Sequence, residues 1–252
     1  MQQARISREI EFVGDANQEA NVKGNLLPER RCIVDYFDGK VIDETNFYTI
    51  TVGGTSDAIA VSGGGVPGFT VATGTVDQQV CFIATPLVFD ISENPVIEAK
   101  VNIADVSGTS FFFGFSDAVT ETTPDSTIDY AGGTLAAAAT DAAGFVCDAD
   151  KGSSALYCAT IATGGTVAGA LASPAITWTD GISHTLRVEL KESDAATPTH
   201  DAYFYCDGIQ VGFKQSAVTD VPFCAMFNFG TRANDGTNAV YVRYLAKFSD
   251  IP

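Results

Sequence analysis

Positive charge is scarce in this chain: 14 Lys and Arg stand against 31 Asp and Glu in 252 residues, a formal net charge of -17. Nucleic-acid affinity is dominated by basic side chains on phosphates, so DNA and RNA are excluded as expected partners. The same balance opposes adsorption on an anionic membrane. Long apolar runs are missing too, and nothing approaches the roughly 20 residues of a helical membrane span. Met1 to Glu11 (M-Q-Q-A-R-I-S-R-E-I-E) lacks the basic-then-apolar order of an export signal, so a cytoplasm is the expected place of synthesis.

Other shortages narrow the chemistry. Only two histidines occur, His184 and His200, and His200 falls in a polar stretch, so no His-centred triad can be assembled. Six cysteines are present without a C-x-x-C pair, which removes the usual signature of structural zinc. Cys147, Cys158, Cys206 and Cys224 lie inside the apolar runs F-V-C, L-Y-C, F-Y-C and F-C-A-M-F, where cysteine acts as a small buried hydrophobe. Free core thiols are expected, and no cofactor. Aspartates are plentiful in turn-rich stretches (Asp105, Asp117, Asp125, Asp129, Asp148, Asp150), and D-A-D-K-G at 148–152 begins like a calcium loop. Its twelfth position is Ala159, not the bidentate Glu, so no metal site is assigned.

What is abundant is the vocabulary of strands and turns. Gly (24 residues), Ala, Thr and Val are frequent and Met is rare (2 residues), which disfavours amphipathic helices. From Ser183 the chain reads S-H-T-L-R-V-E-L-K. His184, Leu186, Val188 and Leu190 take one face, and Thr185, Arg187, Glu189 and Lys191 the other, because side chains alternate across a strand. The run D-A-Y-F-Y-C-D-G-I-Q-V-G follows, with Asp207-Gly208 as a tight turn between two strands. Val96–Ile103 alternates similarly, with Glu98, Lys100 and Asn102 on one side, and charged groups on such a face read as solvated. Ser110–Asp117 is nearly all apolar and therefore central, and Ala239–Phe248, apolar on both faces, should be central or covered. Strand-like runs recur about every ten residues, as in a sandwich or jelly roll. Residues 118–142 and 161–176 lack period two and are the long loops; Leu135–Thr140 is read as one helical turn. Residues 1–31 are polar and short of aromatics. They read as an extended N-terminal arm ahead of a sandwich domain at 32–252, with Arg5, Arg8, Arg30 and Arg31 as candidate assembly contacts.

The order D-Y-F-D-G, V-I-E-A-K-V-N-I, F-F-F-G-F-S-D, D-G-I-S-H-T-L-R-V-E, Y-F-Y-C-D-G-I-Q-V-G and Y-V-R-Y-L-A-K-F resembles the concanavalin A-like or laminin G-like jelly-roll superfamily over about Cys32 to Phe248. Laminin G members usually place Trp immediately before the His; here Ser183 stands there, and Trp178 lies upstream. That departure and the composition make the chain similar to the version of this fold in tailed-phage virion proteins. The resemblance implies an all-β antiparallel sandwich. It also implies a non-enzymatic virion structural protein, assembled in the host cytoplasm: a capsid decoration or cement protein on a phage head, partnered by major capsid protein or other virion proteins. A homo-oligomer, taken as a trimer, would suit such a site. The alternative is a carbohydrate-binding, lectin-like tail or receptor-binding protein, with Trp178 as the candidate stacking residue. A hydrolase of this fold would carry E-x-D-x-x-E on one strand, and no such motif occurs, so no catalytic residue and no enzyme activity are expected.

Overall fold

The computed structural model describes residues 30–37, 42, 48–52, 58–61, 68–72, 80–118, 126–131, 134–151, 155–164, 168–169, 176–193, 199–232 and 239–250. Its strands, in chain order, begin with β1 (Arg30–Asp35), β2 (Thr49–Thr51), β3 (Ala58–Val61), β4 (Phe69–Ala72), β5 (Val80–Ala84) and β6 (Val96–Ile103). Next come β7 (Thr109–Ser116), β8 (Ile128–Ala131), β9 (Thr134–Ala137), β10 (Ala142–Asp148), β11 (Ala155–Ile161) and β12 (Ala168–Gly169). The last six are β13 (Ile176–Thr177), β14 (Ser183–Glu192), β15 (Thr199–Cys206), β16 (Ile209–Thr219), β17 (Cys224–Thr231) and β18 (Ala239–Asp250). Helix among the described residues amounts to one 3₁₀ turn, Ile91–Glu93.

Two antiparallel sheets pack face to face. The front sheet runs β16-β15-β14-β6-β18-β4-β3, with β1 also beside β18; the back sheet runs β12-β11-β10-β7-β17-β5-β2, with β13 also beside β11. The inward rows of both supply the core, led by Phe111, Phe113, Phe145, Phe204 and Phe227, all buried. Ring pairs lock the layers edge to face: Phe145 to Phe204 at 5.5 Å and Phe69 to Phe227 at 5.7 Å between centroids. Such pairs contribute about 0.5–1.5 kcal/mol beyond their area. Cys147, Cys158, Cys206 and Cys224 are buried thiols outside any disulfide, as their apolar runs implied, and Cys81 is buried too.

β7 is central, between β10 and β17, and buried at every position. Its second face is covered by the β8–β9 hairpin, which sets Ile128 and Leu135 against Phe112, Val146 and Met226 on the outside of the back sheet. Two backbone donors latch the hairpin: Thr127 N–H to Asn228 Oδ1 (2.8 Å) and Tyr130 N–H to Asp148 Oδ2 (2.9 Å). Asp148 is fully buried and answered by the Arg232 guanidinium at 2.8 Å. The helical turn expected at Leu135–Thr140 is therefore absent: Thr134–Ala137 is extended because its backbone pairs with β8, which gives those peptide groups their partners.

β18 is central in the front sheet, flanked by β6 on one side and by β4 and β1 on the other. Arg30 and Arg31, counted with the arm on sequence, stand in β1, their backbones paired with Asp250 and Ser249. Arg5 and Arg8 lie outside the described residues.

Candidate functional site

The two outer faces of the sandwich differ in chemistry. The back sheet turns out an apolar surface, under its hairpin. On the front sheet, period-two alternation in five adjacent strands turns out charged and aromatic side chains instead. Across the middle, Tyr205 of β15 stands opposite Arg187 of β14, Arg187 opposite Glu98 of β6, and Glu98 opposite Ala246 of β18. One step along, Phe213 of β16 faces Tyr203 of β15, and Tyr203 faces Glu189 of β14. Cross-strand neighbours on one face lie within side-chain reach, so these two rows form one surface.

Its charges are interlocked. Glu189 takes both Arg187 and Lys191 as ion-pair partners, the latter at 2.9 Å. The Arg187 guanidinium lies over the Tyr205 ring (5.6 Å) and the Lys191 ammonium over the Tyr203 ring (4.9 Å), so each cation has a carboxylate and a π face. Glu98 accepts a hydrogen bond from the Tyr244 hydroxyl at 2.8 Å. Glu98 and Glu189 are only 2% and 5% exposed. The expectation that they are solvated is corrected: neighbouring rings and alkyl stems close over the carboxylates, which period two cannot reveal.

Burial leaves its mark on titration. It pushes the Glu98 carboxyl above its ordinary value, against the Tyr244 hydrogen bond and the Arg187 charge, while Glu189 adds to the rise. Tyr244 is raised by burial first and by the Glu98 charge second. For Lys191, burial works downward, but the hydrogen bond and charge of Glu189 leave it raised overall. The raised Glu98 carboxyl thus sits diagonal to a Glu189 carboxylate held between two cations.

At the edge of this surface Phe213 keeps 42% of its area exposed while its ring packs on Tyr203 at 4.9 Å. Trp178, the stacking residue expected from sequence, is elsewhere. It is 1% exposed, its ring edge to face with His184 (4.9 Å) and Phe111 (6.1 Å), and its Nε1–H donates to the Ile182 carbonyl at 3.0 Å. It is a core residue with no face free for a ligand. His184 is half-buried and hydrogen-bonded, Nδ1 lying 2.7 Å from Asp207 Oδ2. Among the described residues the loop aspartates have separate partners, except that Asp148 and Asp150 both meet Arg232. Asp105 bonds Ser107, Asp117 accepts from Thr140 N–H and Asp148 is consumed by Arg232, while Asp125 lies outside the described residues. The signal that would have found the front-face site is the pairing of V-I-E-A-K with L-R-V-E-L, each with Glu on its polar face.

No family model matches the chain, and no curated protein matches it in sequence. Solved structures do match in shape. The catalytic domain of an endo-1,3-β-glucanase (laminarinase) from Thermotoga petrophila RKU-1 superposes with a TM-score of 0.57 at 12% identity, over 89% of this chain and 100% of that one. A glycoside hydrolase family 16 endo-glucanase from Bacteroides ovatus gives 0.57 at 11% identity over 84% and 98%. The Emp47p carbohydrate recognition domain gives 0.57 at 11% over 87% and 95%. What they share with this chain is the fold. It is the concanavalin A-like jelly roll implied by the sequence motifs, and none of these matches carries a phage-specific link. One expectation is overturned. The chain was read as no enzyme because E-x-D-x-x-E is missing, yet its neighbours in fold include glycoside hydrolases, and two buried carboxyls occupy adjacent strands of its front sheet. A missing single-strand motif is no ground for setting catalysis aside.

Proposed function

We propose that this chain is a carbohydrate-binding jelly roll, with the outer face of the front sheet as its binding surface. The carrying observation is the exposed Phe213 ring seated on Tyr203, beside the fixed Arg187–Glu189–Lys191 array. A sugar presents an apolar C–H face and a rim of hydroxyls; an aromatic ring matches the first, and held carboxylate, guanidinium and ammonium groups match the second. The carbohydrate recognition domain among the fold neighbours is in keeping with this reading. A glycan array on the intact chain tests it, followed by titration of the best ligand against Phe213→Ala. Because Phe213 is on the surface, the variant should keep its melting temperature and lose about tenfold in affinity, equivalent to 1.4 kcal/mol. An array without binders, or full affinity in the variant, would sink the proposal.

A second reading, cleavage of the bound glycan, is favoured by the Glu98–Glu189 pair alone. Their diagonal register puts their Cα atoms about 7–8 Å apart on one face of the sheet, and a glycan would reach them by displacing the side chains that cover them. Glu98, the raised group, would be the acid. Release of reducing ends by the wild type and its loss in Glu98→Gln would support it; no release from any bound glycan would remove it.

The setting we propose for this surface is a virion. That rests on the sequence resemblance; β1, at residues 30–35, pairs along the end of β18. A head-decoration role predicts that removal of residues 1–29, which leaves β1 whole, abolishes binding to the particle. Unchanged binding would remove the arm from the reading.

A further inference from the structure

We propose that His184, Cys206 and Asp207 form a binding site for a divalent cation of zinc type at one end of the front sheet, independent of the carbohydrate surface. The three residues offer an imidazole nitrogen, a sulfur and a carboxylate oxygen, all within 4.8 Å of one another. They converge because β14 begins where β15 ends. The Asp207 N–H donates to the Thr185 carbonyl at 2.8 Å, and Asp207 adopts φ 50° at the head of a tight turn completed by Gly208 at φ 79°. Thr185 N–H in turn donates to Asp207 Oδ1 at 2.8 Å. That bond fixes the carboxylate plane, so that Oδ2 lies 2.7 Å from His184 Nδ1 and 3.9 Å from Cys206 Sγ.

Tetrahedral zinc, with bonds of about 2.0–2.3 Å, spaces its donors about 3.3–3.8 Å apart. The thiol–carboxylate separation is already close to that range, and the imidazole–carboxylate contact has to open by well under 1 Å. An N, S, O donor set suits zinc or cobalt; calcium and magnesium demand oxygen. The Asp207 side chain is 52% exposed, which leaves solvent access for a fourth, water ligand. Trp178 backs the imidazole edge to face at 4.9 Å and restricts the plane of the ring. A nucleophilic Cys–His–Asp reading fits less well. The thiol faces the carboxylate oxygen that already engages the imidazole, so the nitrogen that would take its proton is occupied. On coordination the Cys206 thiol releases its proton to solvent, the proton that His184 Nδ1 shares with Asp207 leaves Nδ1 for solvent while Nε2 takes one up, and the Nδ1–Asp207 contact is exchanged for two metal bonds.

The test is titration of the intact, chelator-treated chain with Co²⁺, followed by the thiolate-to-cobalt charge-transfer band and by emission of the single tryptophan. One equivalent should produce the band and quench Trp178, whose ring adjoins His184. Zn²⁺ should raise the melting temperature and displace the cobalt. Cys206→Ala should lose the band. Asp207→Asn, which keeps both the thiol and an acceptor for Thr185, should bind at least about tenfold more weakly. If no band forms, if it survives in Cys206→Ala, or if Co²⁺ binds without quenching Trp178, the site is not the one proposed.

Discussion

Arg187 of β14 stands opposite Glu98 of β6 across the centre of the front sheet, and its guanidinium is spent on Glu189, its neighbour along the same strand. One cation therefore serves two buried carboxyls. Glu189 has Lys191 as a second partner, while Glu98 has the Tyr244 hydroxyl. The two carboxyls are unequal in their partners: two cations on Glu189, a hydroxyl on Glu98.

That inequality has a pH signature. Burial raises Glu98 above its ordinary value, against the Tyr244 bond and the Arg187 charge. Between the ordinary and the raised value the folded chain binds more protons than the unfolded one, so stability falls as pH rises through this window, and the penalty is complete above it. Glu98→Gln, which still accepts from Tyr244, should melt a few degrees higher than wild type near neutral pH. The two melting curves should draw together on acidification below the ordinary carboxylate range. A gap that stays constant with pH would mean that ionised Glu98 carries no net burial cost.

On the opposite sheet the Arg232–Asp148 pair is the latch of the β8–β9 hairpin. Arg232→Leu leaves Asp148 charged and uncompensated in a fully buried place, a loss of about 3–5 kcal/mol in denaturant unfolding. Adding Asp148→Asn should recover part of that loss. In the single variant the Tyr130 amide, which donates to Asp148, should exchange with solvent faster than amides of β7. Equal protection of the two would show that the hairpin stays closed without the Asp148 latch.

Gly114 and Gly144 face each other where β7 meets β10. A Cβ on Gly114 would stand 2.2 Å from the Ala143 carbonyl oxygen, an atom of backbone that cannot swing aside. Gly114→Ala should cost at least about 1–3 kcal/mol through forced strand displacement. A neutral effect in chemical denaturation would show that the two strands can separate there freely.

Much of the scaffold was readable in advance, and the reasons are local. β14 followed from alternation, the β15–β16 turn from Asp207-Gly208, and the centrality of β7 and β18 from runs apolar on both faces. The β8–β9 hairpin was missed because Ala, Gly and Thr carry little contrast between faces, so T-L-A-A could be read as a helical turn. The outer face of the front sheet was misjudged for another reason. Alternation placed Glu98 and Glu189 outward correctly, but outward was equated with wet. Their burial comes from Tyr244, Tyr205 and Arg187, which arrive from other strands or lean along the same one. The enzyme expectation failed because it rested on one strand motif, whereas the glycoside hydrolases that overturn it match this chain in fold at 11–12% identity. Trp178 looked available as an isolated aromatic ahead of a strand, and only the packing of Phe111 and His184 makes it core.

By itself the sequence determined which face of each strand a side chain takes, where the tight turns fall and that the chain is an antiparallel sandwich. Those properties follow from the pleat and from turn stereochemistry, which act over a few residues. Only the tertiary structure decided that β6 lies between β14 and β18, and so that Glu98, Arg187 and Tyr244 share one surface. It decided equally that the ends of β14 and β15 bring His184 to Cys206 and Asp207. Strand order is set by the burial of two whole faces at once, a long-range condition that no local pattern encodes.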